Sequence, residues 1–223
     1  MGAMLRPYED NALEPARRQM LEEHLCGRGI TDPDVLRAMA EVPRERFVSP
    51  EQRHRAYTDG PLPIGEGQTI SQPYIVALMT QLLRVNRESE VLEVGTGSGY
   101  QTAVLARLTK LVYTIERFPA LSAAARDILL ELGMGNVEFR VGDGSCGWPE
   151  DRTFDRLIIT AAVPDFPPPL TAQLAEAGVM VAPVGERDVQ QLVVAEKYHG
   201  KLMESYACSC RFVKLIGQHG FPS

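Results

Sequence analysis

Cysteine is scarce in this sequence and badly placed for cross-links: Cys26, Cys146, Cys208 and Cys210 are the only four in 223 residues. A chain of this length buries enough core to do without disulfides, so free thiols in a reducing compartment are expected. Cys208 and Cys210 would share one face of a strand, but neither they nor His24, His54, His199 and His219 complete a metal-ligand spacing. No apolar run approaches the roughly 20 residues that span a bilayer. Met1–Met4 is not followed by the basic-then-apolar pattern of a secretory leader. Positive charge is in deficit, with 23 Lys+Arg against 29 Asp+Glu and a net charge of −6. That balance gives no general attraction to nucleic acid or to an anionic membrane. Internal repeats and low-complexity segments are absent too.

What is present reads as an ordinary globular chain, 44% hydrophobic and 23% charged. Leu13, Ala16, Met20, Leu21 and Leu25 recur at helical spacing and predict a helix over 13–28, ended by Gly27 and Gly29. Thr31 or Asp32 is expected to cap a second helix that has Pro33 in its first turn. From Val42 to Gly67, proline, glycine and charge predict loop and short helix. Ser71 or Gln72 precedes Pro73 and an apolar helix over Ile75–Leu83. The pattern then alternates. Strands are predicted at Val91–Val94, Leu111–Glu116, Val137–Val141, Phe154–Thr160 and Val179–Val184, with helices at Tyr100–Leu108, Pro119–Leu132 and Pro167–Ala177. Such alternation makes right-handed crossovers and a mostly parallel sheet. Gln191–Tyr198 and Leu202–Val213 have only His199-Gly200 near their junction, which predicts an antiparallel pair at the C-terminal end.

The most informative stretch is Val91-Leu92-Glu93-Val94-Gly95-Thr96-Gly97-Ser98-Gly99-Tyr100. A buried strand runs through three alternating glycines into a helix, where the backbone turns sharply and a ligand meets no Cβ. A dinucleotide fingerprint spaces its glycines G-x-G-x-x-G to seat a pyrophosphate. Here Gly95, Thr96, Gly97 and Gly99 follow a different spacing, and the acidic Glu93 precedes them. A carboxylate there repels a pyrophosphate and suits the sulfonium and ammonium end of S-adenosylmethionine. Glu116 ends the second strand, placed to accept both ribose hydroxyls. Asp143, in Gly142-Asp143-Gly144, follows the third and is placed to accept from an adenine amino group. Arg117 lies along the cofactor or in solvent.

Methyl transfer is an in-line displacement on an activated methyl, so the acceptor site mainly positions a nucleophile about 3 Å away. After the fourth strand the chain reads Thr160-Ala161-Ala162-Val163-Pro164. The Asn-Pro-Pro-Tyr or Asp-Pro-Pro-Tyr of adenine amino methylation and the Pro-Cys of cytosine carbon methylation are both missing. Asp165, the nearest acid, reads as a loop or capping residue. An acceptor that is already an anion needs no base, and a carboxylate with pKa near 4 is such an acceptor. It needs donors, and Gly67-Gln68-Thr69-Ile70-Ser71-Gln72-Pro73 offers hydroxyls and amides before a helix. Ser71 is equally readable as a helix cap.

At these residues the sequence resembles the protein-L-isoaspartate O-methyltransferase family. The likeness covers roughly Leu62–Val213 and rests on Leu62-Pro63-Ile64-Gly65, Gln68 to Tyr74, Val91 to Gln101, Gly142-Asp143-Gly144 and Pro183-Val184-Gly185. It implies an α/β, Rossmann-like class I methyltransferase: a mostly parallel seven-stranded sheet with an antiparallel C-terminal hairpin and N-terminal helices. It implies one domain over 1–223, with 1–60 a helical extension and 62–213 the catalytic core. Ser71 is then the active-site residue beside the side-chain carboxylate of an isoaspartyl residue. Gln68, Thr69, Glu93, Gly95, Thr96, Gly97, Gly99, Glu116, Arg117, Asp143 and Gly144 are then the S-adenosylmethionine site. The expected partners are isoaspartyl proteins and peptides, acted on by a cytoplasmic monomer with no metal. The family tends to carry Pro where this chain has Lys214, after Cys210-Arg211-Phe212-Val213, which bears on substrate preference. Another acceptor on the same fold, a nicotinamide oxidoreductase and a non-catalytic binding module are the competing readings.

Overall fold

The computed structural model describes residues 11–186 and 188–222; the expectation for Met1–Met4 lies outside them. The first helical run follows its prediction in extent but winds at three pitches. Helix α1 (Glu14–Gln19) passes into a π-helical stretch, Met20–Leu25, and a 3-10 turn, Cys26–Arg28. A π turn brings residues five apart onto one face, and Met20 and Leu25 are both fully buried. Gly29, at φ 88°, ends the run. Helix α2 (Pro33–Glu41) is capped by Asp32, whose Oδ1 accepts from the Asp34 and Val35 N–H groups at 2.9 and 3.2 Å.

The segment read as loop contains 3-10 turns at Arg44–Phe47 and Pro50–Arg55, and then a hairpin that the sequence did not announce. Strand β1 (Leu62–Gly65) pairs antiparallel with β2 (Gln68–Ile70). Glu66 and Gly67 both have positive φ, 51° and 66°, as the favoured two-residue hairpin turn requires. Pro63 and two glycines disguised it. Helix α3 (Pro73–Leu83) follows, with Gln72 at its N-cap and no side-chain cap hydrogen bond, so Ser71 is not its cap.

The remaining elements are β3 (Glu90–Val94), α4 (Tyr100–Leu108), β4 (Leu111–Glu116), α5 (Pro119–Glu131), β5 (Val137–Val141), β6 (Phe154–Ile159), α6 (Pro168–Gln173), β7 (Leu174–Val184), β8 (Gln190–Tyr198) and β9 (Lys201–Cys210). One seven-stranded sheet runs in the order β5-β4-β3-β6-β7-β8-β9. Strands β5 to β7 are parallel, and β8 and β9 are antiparallel additions. The expected C-terminal hairpin is present, turning at His199 and Gly200 with φ 49° and 73°. Strand order reverses between β3 and β6, the switch point where open α/β sheets bind ligands beyond their carboxyl ends. One apolar layer joins the N-terminal helices, α3 and α4 to the sheet; the other joins β6, β7 and α6 on the opposite face.

Predicted boundaries move most at two places, and the strand expected from Val179 starts five residues early. The helix expected over Pro167–Ala177 stops at Gln173, and the chain rejoins the sheet at Leu174, opposite Phe154. Lys197, from β8, donates to the Thr171 and Leu174 carbonyls at 2.9 and 2.7 Å and so closes the helix end. That stop signal is 23 residues away from Leu174 and invisible to local periodicity. The last strand ends at Cys210 rather than Val213. From there the chain leaves β8 for the loop after β6, where Ala162 N–H donates to Val213 O at 2.7 Å and Leu215 N–H to Ala162 O at 2.8 Å.

Candidate active site

A cleft opens at the carboxyl ends of β3, β4 and β6. One wall is the glycine turn Gly95–Ser98 with Glu116, Arg117 and Gly144. The facing wall is Gln68–Ser71, and the rim is the segment Phe212–Ile216. Gly95, at φ 101°, lies so close to Thr160 that a Cβ would stand 2.4 Å from its Oγ1, so only glycine fits. Thr160 Oγ1 donates to the Gly95 carbonyl at 2.5 Å and fixes the turn from behind. Glu116 is 6% exposed. Its Oε2 accepts from Gly97 N–H at 2.9 Å and its Oε1 from Phe118 N–H at 3.0 Å. A carboxylate has about four acceptor directions, so two remain for hydroxyls presented from the cleft.

The three acids expected to converge do not all face this space. Glu116 does. Glu93 is fully buried behind the turn, where its Oε2 accepts from Thr102 and Thr114 hydroxyls at 2.5 and 2.7 Å. Burial pushes its carboxyl up to about 8 against those two hydrogen bonds, and the side chain does not line the cleft. Its link to the cleft is indirect: Thr114 Oγ1 also bonds Thr96 Oγ1 at 2.6 Å, and Thr96 is on the wall. Asp143 is engaged at both oxygens. Oδ1 accepts from Ser145 N–H at 2.9 Å and Oδ2 from Gln218 N–H at 2.7 Å, so the carboxylate anchors the C-terminal segment. Its neighbour Gly144 faces the cleft instead. Gly99 stands away from the cleft against α5: a Cβ there would lie 2.8 Å from Ala125 Cβ, so its glycine serves helix packing. Gln68, Thr69, Ser71, Gly95, Thr96, Gly97, Glu116, Arg117 and Gly144 are brought together. The half-buried Ser71 makes no side-chain hydrogen bond among the described residues, which leaves its hydroxyl free to act toward the cleft.

Comparison with known proteins is decisive here. The family model for protein-L-isoaspartate(D-aspartate) O-methyltransferase matches residues 16–220. This chain belongs to that family. A curated isoaspartate methyltransferase of Trichlorobacter lovleyi is 51% identical over 92% of this chain and 95% of its own. A solved isoaspartate methyltransferase superposes with a TM-score of 0.82 at 29% identity, over 92% of this chain and 67% of that one. A Plasmodium falciparum structure described as a member of the same family, in complex with S-adenosyl-L-homocysteine, superposes with a TM-score of 0.78 at 27% identity, over 90% of this chain and 98% of its own.

In this member of the isoaspartate methyltransferase family, the expected seven-stranded Rossmann-like fold is present, and a nicotinamide site is set aside. Asp165 is a loop residue, its Oδ1 accepting from Phe166 N–H at 2.7 Å, and it does not cap α6, whose N-cap is Pro167. Trp148 packs edge-on against Tyr113, with ring centroids 5.0 Å apart, rather than lining the cleft. Sequence reasoning missed Thr160, Thr102 and Thr114. Their signal was faint: a hydroxyl at a strand end or inside an apolar run, facing a buried acid or a glycine turn.

Proposed function

We propose that this chain transfers the methyl group of S-adenosylmethionine to the free carboxylate of isoaspartyl residues in proteins, with Ser71 as the acceptor-side catalytic residue. The backbone amide nitrogen that follows attacks the resulting methyl ester and expels methanol to give a succinimide, which water reopens in part to normal aspartate, so methylation initiates repair. One observation carries the reading: Glu116, with open acceptor positions, faces a free serine hydroxyl across a single cleft. The residues present fit the cofactor, because the glycine turn admits a nucleoside without Cβ contacts and Glu116 suits a ribose diol. When bound, S-adenosylmethionine supplies an activated methyl. The chain's own part is orientation. Glu116, Gly95, Thr96, Gly97, Arg117 and Gly144 hold the donor; Gln68 and Thr69 border it; Ser71 donates to one carboxylate oxygen so that the other points at the methyl. The acceptor is ionised at neutral pH, so no general base is required.

We read the chain as one domain, with the extension over 1–60 folded onto the core over 62–213. We also read it as a cytoplasmic monomer that binds neither nucleic acid nor membrane. The net charge of −6 gives no general attraction to nucleic acid or an anionic membrane and the free thiols suit a reducing compartment; no described helix is long and apolar enough to cross a membrane.

The test is turnover with labelled S-adenosylmethionine on an isoaspartyl peptide and on its normal aspartyl twin. Only the isoaspartyl peptide should be methylated. Ser71→Ala should lower kcat by about 10–100-fold and leave S-adenosylhomocysteine affinity within about twofold. Equal methylation of both peptides, or an unaffected Ser71→Ala, removes this reading.

A further inference from the structure

We propose that Arg44 is the positioning residue of the acceptor wall, holding the Ser71 backbone against the helix that follows the glycine turn. Arg44 is fully buried in the turn Arg44–Phe47. Its Nη2 donates to the Ser71 carbonyl at 2.7 Å and its Nε to the Ala56 carbonyl at 2.7 Å. Its guanidinium carbon stands 4.7 Å from the ring centroid of Tyr100, the first residue of α4. One side chain thus touches three segments, among them the peptide that carries the catalytic hydroxyl and the first helical residue after the cofactor turn.

The Ser71 carbonyl lies one residue before the N-cap of α3, where the helix makes no use of it; the first helical bond goes to Gln72 O, from Val76 N–H at 3.1 Å. A donor fixed on that carbonyl fixes the peptide plane after Ser71, and with it the direction of the hydroxyl. Gln72 adds a weaker tether, its Nε2 donating to Asp59 Oδ1 at 2.6 Å.

A purely structural role fits Arg44 poorly. Burying a cation is costly unless an anion compensates, and a hydrophobic side chain of similar volume is often as stable. Among the described residues no carboxylate pairs with Arg44. Its neighbour Glu45 is taken by Arg17, at 3.5 Å, and by the Tyr57 hydroxyl. Among the described residues Arg44 Nη1 has no carbonyl or carboxylate acceptor, and the compensating groups beside the guanidinium are the Tyr100 and Tyr57 hydroxyls. Burial pulls the guanidinium down to about 10, opposed by the nearby tyrosines. A rigid fork is what reaches two carbonyls while its face lies on a ring.

The inference rests on the methyl-transfer reading, and the experiment separates the two. Wild type, Arg44→Lys and Arg44→Met are compared for kcat and KM on an isoaspartyl peptide and for S-adenosylhomocysteine affinity by calorimetry. A misplaced catalytic group costs up to about 100-fold in turnover. Arg44→Met is therefore expected to lose about 100-fold in kcat. Arg44→Lys, a point charge that cannot hold both carbonyls, should lose about tenfold, and both should keep cofactor affinity within about twofold. If Arg44→Met fails to fold, Arg44→Lys alone decides. Wild-type kcat in Arg44→Lys overturns the proposal, as does a loss of cofactor affinity in proportion to kcat. An inactive wild type takes down both readings, whereas an active wild type with unaffected variants takes down this one alone.

Discussion

The two walls of the cleft are held by different means. The donor wall is fixed by strands that neighbour one another in the sheet: Gly95 N–H donates to Ile115 O at 2.8 Å, Gly97 N–H to Glu116, and Thr160 closes on Gly95 from the adjacent strand. The acceptor wall belongs to no large sheet. Its strand β2 has three residues and pairs only with β1, and its critical carbonyl is held by a guanidinium 27 residues upstream. A wall fixed by the core tolerates little change and should govern cofactor affinity. A wall assembled from distant segments is adjustable and should govern turnover and substrate choice.

Removing Glu116 tests that division most severely. Glu116→Ala strips two backbone N–H groups of their acceptor together with the site proposed for the ribose. S-adenosylhomocysteine affinity should fall by about 100-fold, roughly 3 kcal/mol, in a calorimetric titration. A change under threefold breaks the assignment of this wall to the cofactor. A smaller effect is expected at Glu93, which stiffens the donor wall from inside. Its carboxyl stands at about 8 in the folded chain, raised by burial from an ordinary value of 4.5. Between those two pH values the native state holds a proton that the unfolded chain has released, so the stability from this group falls as pH rises. Glu93→Gln remains neutral. It should melt alongside wild type near pH 4 and about 3–6 °C above it at pH 8. Parallel melting curves across that range mean that Glu93 is not the buried acid described.

The mildest change is at the rim. Lys214 is exposed, lines the cleft, and has its Nζ 4.9 Å from the Phe221 ring centroid. Lys214→Gln should raise KM about threefold for isoaspartyl peptides with acidic neighbours, only at low salt, and leave uncharged peptides unaffected. A salt-independent effect, or an equal effect on both peptides, assigns Lys214 to packing rather than to charge recognition.

The sequence disclosed residues of both walls, Gln68, Thr69 and Ser71 on one and Gly95, Thr96, Gly97 and Glu116 on the other, but not what holds them in place. The glycine turn and Glu116 are local patterns: a strand, a spacing and an acid at a strand end, each readable within about ten residues. Such reading stops at direction. Glu93 near the end of β3 and Asp143 just after β5 lie on either side of β4 as expected, yet one turns into the core toward Thr102 and Thr114 and the other toward Gln218. Those partners lie 9, 21 and 75 residues away. The hairpin β1–β2 was hidden by Pro63 and its glycines, and Arg44 looked like one charge among many in a polar stretch. A lone arginine gives no sign in sequence that every atom of it is buried.

The clasp between Asp143 and Gln218 bears on the order of folding. The rim joins residues 75 apart and follows every strand of the sheet in the chain, so it docks onto a surface that must already exist. Undocking it breaks a handful of backbone hydrogen bonds and withdraws only edge members of the apolar layers, Leu215 and Val213 from one and Phe212 from the other. Amides of residues 215–221 should therefore exchange with deuterium well before those of β3 and β4. A bulky polypeptide acceptor would then gain entry through a hinged margin while the nucleoside stays seated.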